Sequence, residues 1–236
     1  MLRIDIVTLF PEVFPGPLGA SVVGRALGKG LLEIGTVNPR DFAEDKRGTV
    51  DDKVYGGGPG MLMKPEPLFK AVESVKRPES LVVLMSPRGE RYCQETARRF
   101  ARTEHLILIC GHYEGVDERV RLTLADMEVS IGDYVLTSGV LPAMVVADSV
   151  ARLLPGVLGS DESSESESFS EPELLEYPQY TRPETFRGAR VPEVLLSGDH
   201  GAIAEWRRVE SLRLSRERVS SGMKRGKGKE VGDTFD

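Results

Sequence analysis

The sequence predicts an α/β fold on a mostly parallel sheet, with a smaller helical region after it. Two observations carry this. Over the first 154 residues short apolar runs alternate with helical stretches, the pattern of a sheet covered on both faces. Two of those runs, Leu81-Val-Val-Leu-Met85 and Leu106-Ile-Leu-Ile-Cys110, carry no charge and suit strands buried on both sides.

The elements follow in order. Residues 3–9 read as a strand, 20–29 as a short helix stopped by Gly30, and 32–37 as a second strand. Residues 39–64 form a long polar, glycine-rich loop, and 65–76 a helix with prolines near its start. Then come a strand at 81–85, a helix at 90–101, a strand at 105–110, a helix at 117–124, a short strand at 128–131 and a helix at 142–153 opened by Pro142. Residues 155–180 read as a linker; 160–170 are low-complexity Ser/Glu and bury too little to order themselves alone. A helix at 200–219 follows, with Ile203, Trp206, Val209 and Leu212 on an apolar stripe. Residues 220–236 are Gly/Lys-rich, the composition of a disordered tail.

With 236 residues, 40% hydrophobic and 29% charged, the composition is that of a soluble globular chain. No apolar run approaches the roughly 20 residues of a membrane span, and the start has no signal-peptide pattern. Cys93 and Cys110 show no metal-ligand spacing, so two reduced thiols and a cytoplasmic setting are expected. Net charge is −6, against nucleic acid at first sight, but its distribution is uneven. Residues 158–176 carry seven acids and no base, whereas 206–229, with Arg207 and Arg208, hold nine bases against two acids. That run is either a phosphate-binding face or a solvated helix with a solubilising tail.

Three glycine-bearing segments carry the chemistry. Tyr55-Gly-Gly-Gly-Pro-Gly-Met61 is neither a P-loop nor a dinucleotide fingerprint. It lets backbone approach something flat, or is a plain surface loop. Gly111-His-Tyr-Glu-Gly115 follows an apolar strand, beyond whose carboxyl end ligands sit in open α/β sheets. There Glu114 either accepts from a ligand amine or ribose, or sits with Asp117 at the positive end of the next helix. Ser130-Ile-Gly-Asp-Tyr-Val-Leu136 offers backbone groups beside apolar side chains, which suits an adenine ring. Asp148 and Arg152, four apart on a helix, read by themselves as an ion pair.

In this order, Thr49 to Met61, Gly111-His-Tyr-Glu-Gly-Val-Asp-Glu-Arg119, Ser130 to Leu136, Asp148-Ser-Val-Ala-Arg-Leu-Leu-Pro-Gly-Val-Leu-Gly159 and Tyr180-Thr-Arg-Pro183 resemble the bacterial tRNA (guanine-N1)-methyltransferases over about residues 1–215. The resemblance implies an S-adenosylmethionine-dependent enzyme of the knotted (SPOUT) class that methylates the guanosine 3′ of the anticodon in tRNA. It implies a deep trefoil knot late in the α/β domain, a homodimer with sites shared between chains, and no membrane.

Carried over by motif, Leu84, Ser86, Pro87, Gly111, Tyr113, Glu114, Gly115, Ser130, Ile131, Gly132, Asp133, Tyr134, Val135, Leu136, Ser138, Gly139 and Pro142 would bind the cofactor. Arg152 would stabilise negative charge on guanine O6, and the general base would be Glu167 before Ser168-Phe169. Asp51, Gly57, Gly58, Arg182, Arg207 and Arg208 would face tRNA. No ligand spacing demands magnesium, though the clustered acids allow it.

The expected organisation is a knotted cofactor-binding domain at 1–159, a flexible lid at 160–176, a small helical tRNA-binding domain at 177–219 and a tail at 220–236. Three departures stand out. Glu167 occupies the place of the family's aspartate, a carboxyl about 1 Å further out. Ser138 and Val140 stand where glycine and an acid are common, and the terminal helical region is short. Glu167 and the short end also fit a slow or non-catalytic RNA-binding relative that keeps the cofactor pocket.

Overall fold

The computed structural model describes residues 1–158 and 167–226, with side chains as far as Ser220. Residues 160–166 of the expected lid, Glu165 among them, and 227–236 of the expected tail lie outside the described residues. The chain divides into two compact units, Met1–Gly159 and Ser160–Asp236.

The first unit is a five-stranded sheet in the order β2-β1-β6-β5-β7, with every neighbouring pair parallel. Its strands are β1 (Leu2–Val7), β2 (Leu32–Val37), β5 (Ser80–Arg91), β6 (His105–Cys110) and β7 (Met127–Ser130). All six residues of the central β6 are buried, as the uncharged run requires. Alternation splits them between two apolar layers. Leu106, Leu108 and Cys110 face α2 (Ser21–Gly28), α4 (Gln94–Phe100) and α6 (Val140–Ala151). Ile107 and Ile109 face α3 (Pro65–Glu73) and α5 (Glu118–Thr123). A four-residue helix, α1 (Pro15–Leu18), buries Leu18 in the first layer.

Two sequence expectations are corrected in this unit. The stretch 39–64 is not all loop. A 3-10 turn at Pro39–Phe42 is capped by Asn38, whose side chain accepts from the Arg40 N–H at 3.0 Å. A small hairpin, β3 (Asp51–Lys53) with β4 (Met61–Met63), then makes the glycine run its tip. There Gly56, Gly57, Gly58 and Gly60 all have positive φ, which only glycine adopts at little cost. The helix expected at 90–101 starts at Gln94, because Glu90 and Arg91 rejoin the sheet opposite Val129 and Ser130 after Ser86–Gly89 loops away. Gly89 permits that return, since a Cβ there would run into the Glu128–Val129 backbone.

The second unit holds a short hairpin, β8 (Thr185–Phe186) with β9 (Ala189–Arg190), then α7 (Glu193–Leu196) and the long α8 (His200–Gly226). At 27 residues α8 spans about 40 Å and overruns the expected end at 219. One position of the apolar stripe is also corrected: Ile203, Trp206 and Leu212 are half-buried, but Val209 is exposed. Part of the expected lid folds onto this helix. The Leu175 N–H donates to Ser215 Oγ at 2.9 Å, the Glu176 N–H donates to Ser168 Oγ at 3.0 Å, and the Arg218 guanidinium lies 4.7 Å from the Phe169 ring centre.

Candidate active site

Three loops leave the carboxyl ends of adjacent parallel strands and converge, the place where open α/β sheets bind ligands. Ser86 to Arg88 follow the first half of β5, Gly111 to Val116 follow β6, and Ile131 to Gly139 follow β7. With Pro142 of α6 and Leu62 of β4 they enclose a cavity of about 520 Å³, within the usual range for a small-molecule site.

Backbone hydrogen bonds fix the loops to one another. The Gly139 N–H donates to Gly111 O at 2.8 Å, and the Tyr92 N–H donates to Ser130 O at 2.8 Å. The β4 strand is laced to the second loop, with Glu114 N–H to Met61 O, Met63 N–H to Gly115 O and Asp117 N–H to Met63 O, each at 3.0 Å. Gly60, at the joint between the hairpin tip and the second loop, has a φ of +82°, which favours glycine, and a Cβ there would also displace the exposed Glu114 side chain. Ser138, unusual on sequence grounds, accepts from the Val140 N–H at 3.3 Å and so helps start α6.

The pocket joins an apolar slot to a polar rim. Leu84, Ile131, Leu136 and Pro142 supply the slot. On the rim, Arg88 pairs with Glu118 at 3.0 Å and lies 3.6 Å from Glu128 Oε1. The bond to Glu118 raises the Arg88 pKa, and Glu118 is lowered by Arg121 first and Arg88 second. Asp117 caps α5 and is held below the usual carboxylate range by its bond to Arg119. Among the described residues the buried His112 Nδ1 has no hydrogen-bond partner and lines this cavity, whereas Glu128 Oε1 makes no hydrogen bond but faces Arg88 at 3.6 Å. Buried polar atoms rarely stay unpaired, so His112 Nδ1 is the atom here with hydrogen-bonding capacity to spare.

The cavity brings together sixteen of the seventeen expected cofactor residues: Leu84, Ser86, Pro87, Gly111, Tyr113, Glu114, Gly115, Ser130, Ile131, Gly132, Tyr134, Val135, Leu136, Ser138, Gly139 and Pro142. Asp133 is not in the lining; its side chain is 90% exposed and pairs with Arg91 at 3.1 Å. Sequence reading missed Arg88, Glu118 and Glu128. Glu128 carried a usable signal, as the lone charge in the strand Met127-Glu-Val-Ser130.

Arg152 ends α6, half-buried, its N–H donating to Asp148 O at 3.2 Å. Glu167 belongs to the second unit, half-buried, its carbonyl accepting from the Ser170 N–H at 3.0 Å. Asp51 lies in β3 opposite Met63, and Gly57 and Gly58 sit at the open hairpin tip. Arg182 and Arg207 line a separate cavity within the second unit, while Arg208 pairs with Glu205 at 2.8 Å. Among the described residues no cluster of three His, Cys, Asp or Glu side chains is placed to hold a metal ion, and no helix is long and apolar enough to cross a membrane.

Comparison with known proteins extends this picture. Residues 2–221 match the family model described as tRNA (Guanine-1)-methyltransferase TrmD. Proteins named tRNA (guanine-N(1)-)-methyltransferase are similar over most of the chain. The one from Dictyoglomus turgidum is 57% identical over 213 residues, 90% of this chain and 86% of its own. Those from Moorella thermoacetica and Pelotomaculum thermopropionicum are each 58% identical, over 217 and 221 residues; they cover 89% and 92% of this chain and 86% and 88% of their own.

Proposed function

The chain belongs to the tRNA (guanine-1)-methyltransferase family, and from that premise we propose that it moves a methyl group from S-adenosylmethionine to N1 of guanosine 37 in tRNA. The observation that carries the proposal is the three-loop cavity. Its slot of Leu84, Ile131, Leu136 and Pro142 suits an adenine ring, and its exposed backbone groups suit the ring's edge. The unpartnered His112 Nδ1 is available to the polar parts of the cofactor, and the exposed Glu114 carboxylate complements its positive charge. The residues present therefore fit the cofactor.

When bound, S-adenosylmethionine supplies a methyl group on an electrophilic sulfonium. The chain's own residues must make guanine N1 nucleophilic. N1 carries a proton, and in this reading the Glu167 carboxylate accepts it as the new N–C bond forms. Arg152 offsets the negative charge that builds on O6. The loop walls hold the reacting atoms in line and exclude water, which supplies much of the rate.

Two structural expectations belong to the same proposal. The knot expected late in the first unit belongs to this proposal and rests on the family match. The exposed Leu141 and Val145 on α6, with Val135 beside the pocket, suit burial by a second copy in a homodimer. A tRNA substrate sets the reaction in the cytoplasm.

Glu167 in the aspartate's place favours a second reading, an RNA-binding relative that keeps the pocket but turns over slowly or not at all. One assay separates the two. The protein is incubated with methyl-labelled S-adenosylmethionine and a tRNA transcript carrying G37, then with a transcript changed at that base. Label on the first transcript alone supports the enzyme. Cofactor binding without label transfer to either overturns it.

A further inference from the structure

The second unit holds its own cavity, about 920 Å³, lined by residues between Tyr177 and Arg207. Its character is aromatic and cationic. Tyr180 and Trp206 meet with ring centres 6.4 Å apart and planes inclined at 53°, too close and too tilted to sandwich a third ring. A ligand ring would instead lie on the open face of Tyr180, which is 51% exposed. The Arg207 guanidinium is steadied 4.8 Å from the centre of the Tyr177 ring.

Some described arginines of this unit are ion-paired and others are not. Arg208 and Arg213 are matched by Glu205, Glu210 and Glu217. Among the described residues, Arg182 and Arg207 have no carboxylate within 4.0 Å. The acid in the lining, Glu184, is bound to Arg190 at 3.0 Å. The cavity thus offers an exposed aromatic face, apolar walls from Ile203 and Leu195, and two uncompensated guanidinium groups. An aromatic face flanked by cations is the chemistry that holds an unpaired nucleobase and its phosphate.

We propose that this cavity is a stacking site for one unpaired nucleotide of the anticodon loop, its base on Tyr180 and its phosphate on Arg182 and Arg207. The nucleotide is held here, not modified, because the acid of the lining is already engaged. The inference rests on the proposed tRNA substrate and adds a second point of attachment, remote in sequence from the loops of the first unit.

Trp206 is the only tryptophan of the chain, so its emission reports on this cavity. The full-length protein is titrated with an anticodon stem–loop RNA carrying G37, and with a blunt RNA duplex of equal length. The stem–loop should quench Trp206 saturably and the duplex should not. Tyr180→Ala should raise the apparent Kd about tenfold, while Tyr180→Phe, which keeps the aromatic face, should bind like the parent. Equal quenching by the duplex, or parent-like affinity in Tyr180→Ala, overturns the proposal. A stem–loop that is methylated but leaves Trp206 unchanged overturns the stacking site alone. One that quenches but is not methylated overturns only the transfer reaction.

Discussion

Asp5 is a carboxylate only 1% exposed in a parallel sheet, and its neighbours account for it. Arg3 Nε donates to Asp5 Oδ2 at 2.6 Å. Ser80 Oγ accepts from the Arg77 N–H at 2.7 Å and lies 2.6 Å from His105 Nδ1, while His105 Nε2 lies 2.8 Å from Asp5 Oδ2. Gly35 lies opposite Asp5 in the register, and a Cβ there would strike Asp5 Oδ1. Removing the acceptor leaves the fully buried His105 Nε2 without its partner while Arg3 keeps Glu33, so Asp5→Ala should cost about 2 kcal/mol in urea unfolding; a loss under about 1 kcal/mol would show that water replaces the carboxylate. Glu167 makes the opposite kind of residue claim, chemical and not structural. Glu167→Gln should abolish methyl transfer with cofactor affinity intact, and Glu167→Asp should retain or raise it. Activity surviving in Glu167→Gln but lost in Glu165→Gln would move the base to Glu165.

At the scale of elements, what the sequence made legible depended on whether local pattern or distant contact decided the outcome. The β6 run and the Leu81–Met85 stretch of β5 were legible because burial on both faces leaves no polar position to misread. The start of α4 was not, because Glu90 and Arg91 are claimed by pairing with Val129 and Ser130, about 40 residues away. The β3–β4 hairpin hid for a similar reason: its strands are three residues each, and Met63 gains its second partner from Val116. In the site, glycine motifs exposed the loops, but the engagement of Arg88 with Glu118 of α5 and Glu128 of β7 arises only when those elements come together in the fold. The same reasoning makes Gly139 a test of the element junction. A Cβ there would sit 2.7 Å from Cys110 Cα and 3.0 Å from Gly111 N, both backbone atoms of the central strand and its loop, which cannot yield cheaply. Gly139→Ala should lower stability by about 1–3 kcal/mol and weaken S-adenosylmethionine binding in calorimetry. Gly28→Ala, with nothing within 4 Å of the new methyl, should stabilise slightly or change nothing. Equal behaviour of the two variants would contradict the tight junction.

At the scale of the whole molecule, a chain of net charge −6 is proposed to bind a polyanion, so the arrangement of charge must matter more than its sum. Nine bases fall within residues 206–229, but the structure reduces the number at work. Arg208 is held by Glu205, Arg213 by Glu210 and Glu217, and Arg218 lies over Phe169. Each cation that meets a phosphate releases counterions and adds about 0.7–0.9 to the slope of log affinity against log salt. A paired arginine adds less, because binding must first break its ion pair. Two changes should therefore move the slope in opposite directions in a filter-binding series with tRNA between about 50 and 200 mM salt. Replacing Lys224, Arg225, Lys227 and Lys229 together by Gln should flatten it by up to about 3, with the affinity loss greatest at low salt. Glu205→Gln frees Arg208 and should steepen it by up to about 1. If the fourfold variant keeps the parent slope, the basic run is a solvated surface and the phosphates are gripped elsewhere. If Glu205→Gln alone leaves the slope unchanged, Arg208 faces away from the RNA.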